Sequence, residues 1–116
     1  MKKVLIVEDD LIIALSAEKM IQRLGLEVLK VVDTGEKAVE TALNNKPDII
    51  LMDIRLAGEM DGVEAAFRIR EELSKPRIIF VTGNADPGYR TKAEGTGYEA
   101  YLVKPIRLED LRKIIG

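Results

Sequence analysis

The sequence predicts an α/β fold in which a parallel sheet of five strands carries helices on both faces. Three observations lead there. Five short apolar runs read as strands, and the first, Val4-Leu5-Ile6-Val7, lacks the every-other-residue alternation of a half-exposed strand, as expected of a strand buried on both faces. Each run is followed by a segment with apolar residues at helical spacing. Strict alternation of strand and helix implies crossovers between parallel neighbours. At 116 residues the chain has the size of one domain with one core.

The elements follow in order. Val4-Leu5-Ile6-Val7 is the first strand, closed by Glu8, Asp9 and Asp10. From Leu11 to Leu24 the residues Leu11, Ile12, Leu15, Met20, Ile21 and Leu24 recur at helical spacing, with Asp9 or Asp10 as the cap and Gly25 as the stop. Leu26 to Val32 is the second strand, interrupted by Glu27 and Lys30. Asp33-Thr34-Gly35-Glu36 has capping-box spacing and opens a helix whose Ala38, Val39, Ala42 and Leu43 face the core; Asn44 to Pro47 end it. Asp48 to Asp53 is the third strand. The loop from Ile54 to Met60 then leads to Asp61-Gly62-Val63-Glu64, a second capping-box spacing, and a helix carrying Val63, Ala66, Phe67, Ile69, Arg70 and Leu73. After Pro76, Arg77 to Thr82 form the fourth strand. Asp86-Pro87 reads as an N-cap followed by proline at the first helical position, opening a short helix to about Gly97. Ala100 to Val103 are the fifth strand, Lys104-Pro105 a break, and Leu108, Leu111, Ile114 and Ile115 mark the last helix.

Composition narrows the function. An apolar fraction of 47% and a charged fraction of 33% describe an ordinary globular protein. A net charge of −2 gives no electrostatic attraction to nucleic acid or anionic lipid, and 4% aromatic residues are too few for a base-stacking platform. With neither cysteine nor histidine, disulfides and thiolate or imidazole metal sites are excluded. Any metal must be held by oxygen, which points to a hard cation such as magnesium. The apolar stretch after Met1-Lys2-Lys3 stops at Val7, too short for a signal sequence or a membrane span, so a cytoplasmic location is expected.

In parallel α/β sheets the ligand crevice lies outside the carboxyl ends of the strands. Glu8 and Asp9 follow the first strand, Asp53 ends the third, Thr82 ends the fourth and Lys104 follows the fifth. Asp53 is the anomaly: a carboxylate closing Ile49-Ile50-Leu51-Met52, where an ionised group needs a partner or a reaction. Convergent carboxylates raise one another's pKa unless a cation is present, and magnesium takes one or two carboxylates while leaving room for phosphate oxygens. A lysine and a threonine hydroxyl at the rim would meet phosphoryl oxygens, leaving Asp53 as a carboxylate nucleophile. Each residue alone has an ordinary reading: acids capping a helix, Asp53 capping a turn, Thr82 ending a strand, Lys104 solvated, Tyr101 packing. Those readings give no reason for all of them to share one edge.

Val7-Glu8-Asp9-Asp10, the stretch from Asp48 to Leu56, Thr82-Gly83 and Tyr101-Leu102-Val103-Lys104-Pro105 together resemble the receiver domain of two-component response regulators, over nearly the whole chain and in the right order. The resemblance implies a flavodoxin-like doubly wound fold with strand order 2-1-3-4-5, an order that the alternation of strands and helices does not itself fix. It implies that Asp53 takes a phosphoryl group from a phosphohistidine on a sensor histidine kinase or phosphotransfer protein. Asp9, Asp53 and the main-chain carbonyl of Arg55 would bind magnesium, or manganese in its place, with Glu8 acting mostly through water. Lys104 would contact the phosphoryl group and Thr82 would move toward it. Tyr101 would then turn inward and alter the face formed by the fourth helix, fifth strand and fifth helix, which a downstream target protein reads. The Lys104-Pro105 bond is expected to be cis, as proline tolerates.

The same resemblance implies a signalling domain that catalyses only its own phosphorylation and dephosphorylation, without direct nucleic-acid or membrane binding, as a monomer or a phosphorylation-dependent dimer. Residues 1–116 are expected to be receiver alone, with no output domain in the chain. Ala57 stands where proline is common, so a longer, looser loop is expected after Asp53; Gly83 replaces a frequent alanine. Arg55 and Asn84 occupy positions that tune phosphate lifetime in this family. Three rivals fit less well. A degenerate receiver serving only as a protein-binding module is opposed by the intact set Glu8, Asp9, Asp53, Thr82 and Lys104. A phosphohydrolase of the haloacid dehalogenase type needs a second aspartate where Arg55 stands, and a flavodoxin would place its phosphate against Glu8, Asp9 and Asp10.

Overall fold

The computed structural model describes residues 1–83 and 87–116, with Pro87 described through its backbone. Its elements are β1 (Lys3–Val7), α1 (Leu11–Arg23), β2 (Glu27–Val32), α2 (Gly35–Asn45), β3 (Ile49–Asp53), α3 (Gly62–Glu72), β4 (Arg77–Thr82), α4 (Pro87–Ala93), β5 (Ala100–Val103) and α5 (Leu108–Ile115). The strands form one sheet in the order β2-β1-β3-β4-β5, every neighbouring pair parallel. This is the predicted doubly wound architecture.

Successive side chains of a strand point to opposite faces, and the two faces sort the core into two layers. Leu5 and Val7 of β1, Ile50 and Met52 of β3, and Ile78 and Phe80 of β4 pack with Ala38 and Ala42 of α2, Val63, Ala66 and Ile69 of α3, and Ala93 of α4. Val4 and Ile6, Ile49 and Leu51, and Ile79 and Val81 pack with Ala17 and Ile21 of α1 and Leu111 of α5. The continuous apolar runs of β1, β3 and β4 exist because both faces are covered. Asp53 shares the parity of Ile49 and Leu51, so it sits at the end of β3 on the side of α1 and α5.

Several local expectations are corrected. On α1 the buried residues are Ala14, Ala17 and Ile21, whereas Leu11 and Ile12 are each 81% exposed and Leu15 is 53% exposed. Small side chains let the helix approach the sheet, and the larger apolar residues spread round its circumference. Of the two candidate caps, Asp10 is the one that forms, as expected: its Oδ1 accepts from the Ile12 and Ile13 amides at 2.9 and 3.1 Å. The α2 cap lies one residue later than the spacing suggested. Thr34 Oγ1 accepts from the Lys37 amide at 3.1 Å, while Asp33 pairs with the Lys37 ammonium. At α3 the expected cap forms, with Asp61 Oδ1 accepting from the Glu64 amide at 2.8 Å.

Helix α4 ends at Ala93 instead of near Gly97, because Gly95 (φ 94°) and Gly97 (φ 69°) take left-handed conformations that break it. Its expected cap at Asp86 lies outside the described residues. The α4–β5 connection is then clasped by α3: the Arg70 guanidinium donates to the carbonyls of Thr96 at 2.7 Å and Gly97 at 3.4 Å, and also to Ser74, just past its own helix, at 2.9 Å. No helix among the described residues is long and apolar enough to cross a membrane.

Candidate functional site

The carboxyl ends of β1, β3, β4 and β5 bring the sequence-predicted residues to one edge. Glu8, Asp9 and Asp53 each offer a carboxylate oxygen, and these oxygens lie within 4.8 Å of one another. Glu8 and Asp53 are buried and Asp9 is exposed. Between the buried acids lies Lys104, its Nζ 2.6 Å from Glu8 Oε1 and 3.0 Å from Asp53 Oδ2. The second Glu8 oxygen accepts from the Asp10 amide at 3.0 Å. Protein partners therefore occupy both oxygens of Glu8, and Asp9 and Asp53 are left more open to a cation.

Electrostatics follow from this arrangement. Burial pushes the Glu8 carboxyl above the usual range; Lys104 and the Asp10 amide pull it down, and Asp53 adds repulsion. Burial also opposes charge on Lys104, but Glu8 and Asp53 outweigh it and hold the ammonium above the usual lysine range. One lysine facing three carboxylates leaves a surplus of negative charge. The donor set is all oxygen, partly open, and short of positive charge, which fits a hard divalent cation.

Thr82 is fully buried and follows Val81, the register partner of Asp53 on β4. Its carbonyl accepts from the Lys104 amide at 2.7 Å, tying the ends of β4 and β5 together. The Lys104–Pro105 bond is cis. The Tyr101 ring already packs inward, 6.2 Å from Phe80 and 6.0 Å from Tyr98 between centroids, with the Arg90 guanidinium 5.2 Å from its own centroid. Asn84 lies outside the described residues.

The loop after Asp53, expected to be loose, is packed against the start of α2 through a parallel bridge between Thr34 and Ala57. Its base is closed by the Gly62 amide, which donates to the Ile54 carbonyl at 2.8 Å. Sequence reasoning missed the importance of Gly62. A Cβ there would run into the main-chain carbonyl of Asp53 itself, an obstacle with little freedom to move. The available signal was a glycine at the first helical position, where a better helix former is the ordinary choice. Gly62→Ala is expected to cost about 1–3 kcal/mol by overpacking and to displace the backbone of Asp53. A urea midpoint equal to wild type would contradict this close approach.

Beside Asp53 an apolar cavity of about 290 Å³ runs between α1 and the chain after β5, lined by Ile12, Ile13, Ala17, Met20, Pro105 and Ile106 among others. Asp53, Glu8 and Lys104 also line it.

Comparison with known proteins agrees with this geometry. A family model for the response regulator receiver domain matches residues 4–116. The transcriptional regulatory protein PdtaR of Mycobacterium tuberculosis is 34% identical over 110 residues, which cover 95% of this chain and 53% of that protein. The chain thus spans about half the length of that relative. Among solved structures, the signal receiver domain of a modulated diguanylate cyclase from Desulfovibrio desulfuricans superposes with a TM-score of 0.91 at 38% identity, covering 99% of this chain and 90% of that one. The receiver domain of sensor histidine kinase PA1611 from Pseudomonas aeruginosa, solved with a magnesium ion coordinated in its active-site cleft, gives 0.86 at 35% identity, with coverage of 97% and 93%.

Proposed function

Because the chain belongs to the response regulator receiver domain family, a signalling domain of two-component systems, we propose that Asp53 is its phosphoacceptor and that a phosphohistidine protein is the donor. The observation that carries this reading is the buried Asp53 carboxylate held at 3.0 Å by Lys104, beside Glu8 and Asp9. An Asp53 oxygen forms a bond to phosphorus as the phosphorus–nitrogen bond of the donor imidazole breaks, and the imidazole keeps the electron pair. Lys104 would meet a phosphoryl oxygen, and Thr82 would donate its hydroxyl to another after a short movement. Asp9, Asp53 and the Arg55 carbonyl would hold magnesium, or manganese, with Glu8 committed to Lys104. When bound, the cation supplies neutralising charge at the transferring group.

The exposed Leu11, Ile12 and Leu15 on α1, of which Ile12 also lines the cavity beside Asp53, support docking of an apolar helical surface that presents the phosphohistidine. Downstream, the face of α4, β5 and α5 would carry the signal to a target protein, with Thr82 and Tyr101 linking it to Asp53. The activity is confined to the domain's own phosphorylation and dephosphorylation, in a cytoplasmic setting, with a monomer or a phosphorylation-dependent dimer as the working state.

Acetyl phosphate tests the centre without a partner. With magnesium the protein is expected to gain the mass of one phosphoryl group, labile to hydroxylamine, and with EDTA to gain none. An unmodified protein in magnesium, or equal labelling in EDTA, would overturn the proposal.

A further inference from the structure

The cavity beside Asp53 has a shape and a charge that phosphoryl transfer leaves unused. Ala17 of α1 ends at its Cβ, and about 290 Å³ of space lies between this helix and the chain after β5. Ile12, Ile13 and Met20 form the α1 wall, Pro105 and Ile106 stand opposite, and Leu51 and Val81 line the cavity from the sheet. The wall from Ile12 to Met20 is about 12 Å long, and at the room a liquid water takes, the volume holds about ten non-hydrogen atoms. The charged groups gather at one end. Glu8, Asp53 and Lys104 line it there, with Lys104 Nζ 2.6 Å from Glu8 and 3.0 Å from Asp53, while Ser16 lies exposed at the rim. An apolar cavity with a few convergent polar groups is the usual form of a small-molecule site.

We propose that this cavity binds a small monoamine with an apolar body, its ammonium directed to Glu8 and Asp53, where it competes with the divalent cation. Charge selects the amine. Two carboxylates share one ammonium at the polar end, so one negative charge is left uncompensated. A carboxylate or phosphate head reaching for Lys104 would meet both acids and be repelled. A neutral alcohol would leave the charge as it stands. An ammonium supplies the missing charge at short range, while the apolar body covers Ile12, Ile13, Met20 and Ile106. A polyamine is disfavoured, because its second charge would be forced among those apolar side chains. Magnesium is drawn to the same surplus of negative charge, so each ligand weakens the other. That competition rests on the cation reading given above; the binding of the amine does not.

The probe is phenylpropylamine, with phenylpropanol and phenylpropionate as its neutral and anionic counterparts, titrated into the protein in EDTA by calorimetry and NMR. The amine is expected to bind about tenfold more tightly than either counterpart, the effect of one charge-assisted hydrogen bond. It should shift the methyl resonances of Ile12, Ile13, Met20 and Ile106. Ser16→Phe, at the exposed rim, is expected to cut the affinity about tenfold by filling the entrance, and Ser16→Ala to leave it unchanged. Magnesium is then titrated alone and, at saturation, should weaken the amine about fivefold. Equal binding of amine and alcohol would overturn the selection by charge. No binding of the amine, shifts confined to other methyl groups, or indifference to Ser16→Phe would overturn the site and leave the cavity to a docking protein. Full amine affinity in saturating magnesium would overturn the placement of the ammonium. Failure of magnesium to bind, or of the protein to label with acetyl phosphate, would instead strike the proposed function of Asp53, with the amine site already decided in EDTA.

Discussion

Asp53→Asn is expected to take up no phosphoryl group from acetyl phosphate at any magnesium concentration, while folding at least as firmly as wild type when metal is absent. The first half follows from chemistry: an amide oxygen is too weak a nucleophile to replace the carboxylate. The second follows from charge. Three carboxylates within 4.8 Å face one lysine, and the substitution removes one negative charge while keeping an oxygen that accepts from Lys104. Magnesium, which stabilises a folded protein in proportion to how tightly it binds the native state, should therefore raise the unfolding midpoint of wild type much more than that of the variant. Intact-mass spectra and urea titrations with and without magnesium check both halves. Labelling of the variant at the wild-type rate would move the phosphoacceptor elsewhere.

What the sequence made legible was whatever depends on residue type at a strand end. A carboxylate after four buried apolar residues, acids after β1, a hydroxyl at the end of β4 and a lysine after β5 can be placed together once the sheet is known to be parallel, because such a sheet delivers all its carboxyl ends to one edge. What stayed hidden depends on how elements pack. The large apolar residues of α1 suggested a buried stripe, but Ala14 and Ala17 are what allow the helix onto the sheet, and Leu11, Ile12 and Leu15 are left outside. Periodicity counts hydrophobic residues and cannot tell a contact made by small side chains from one made by large ones. The cap of α2 was displaced by one residue because Asp33 and Thr34 are both good caps and only the chain's path chooses Thr34. The close approach of Gly62 to Asp53, and the meeting of Arg55 with Tyr89 across 34 positions, are tertiary facts with no local signature.

Lys104→Ala is the substitution with the greatest expected effect on stability, because it strands two buried carboxylates at once. Lys104 is the partner of both Glu8 and Asp53, and removing one member of a buried pair typically costs about 3–5 kcal/mol. The loss should depend on pH in a definite direction. Burial already holds the Glu8 carboxyl above its ordinary value of 4.5, and Lys104 is the larger of the two groups opposing that shift, so the variant raises it further. An acid with a raised folded pKa binds more protons in the native than in the unfolded state between those two values, and stability falls as pH climbs through that interval. In EDTA the variant's deficit should accordingly be smaller at the acid end of the range, where protonation of Glu8 removes one of the two stranded charges, and grow progressively toward pH 7. Millimolar magnesium should recover part of the deficit at neutral pH by supplying the missing positive charge. Phosphoryl uptake from acetyl phosphate is expected to persist at a reduced rate, since Asp53 remains, while resonances on the face carrying Tyr101 fail to shift. A deficit independent of both pH and magnesium would mean that Lys104 acts through the packing of its aliphatic stem rather than through its charge.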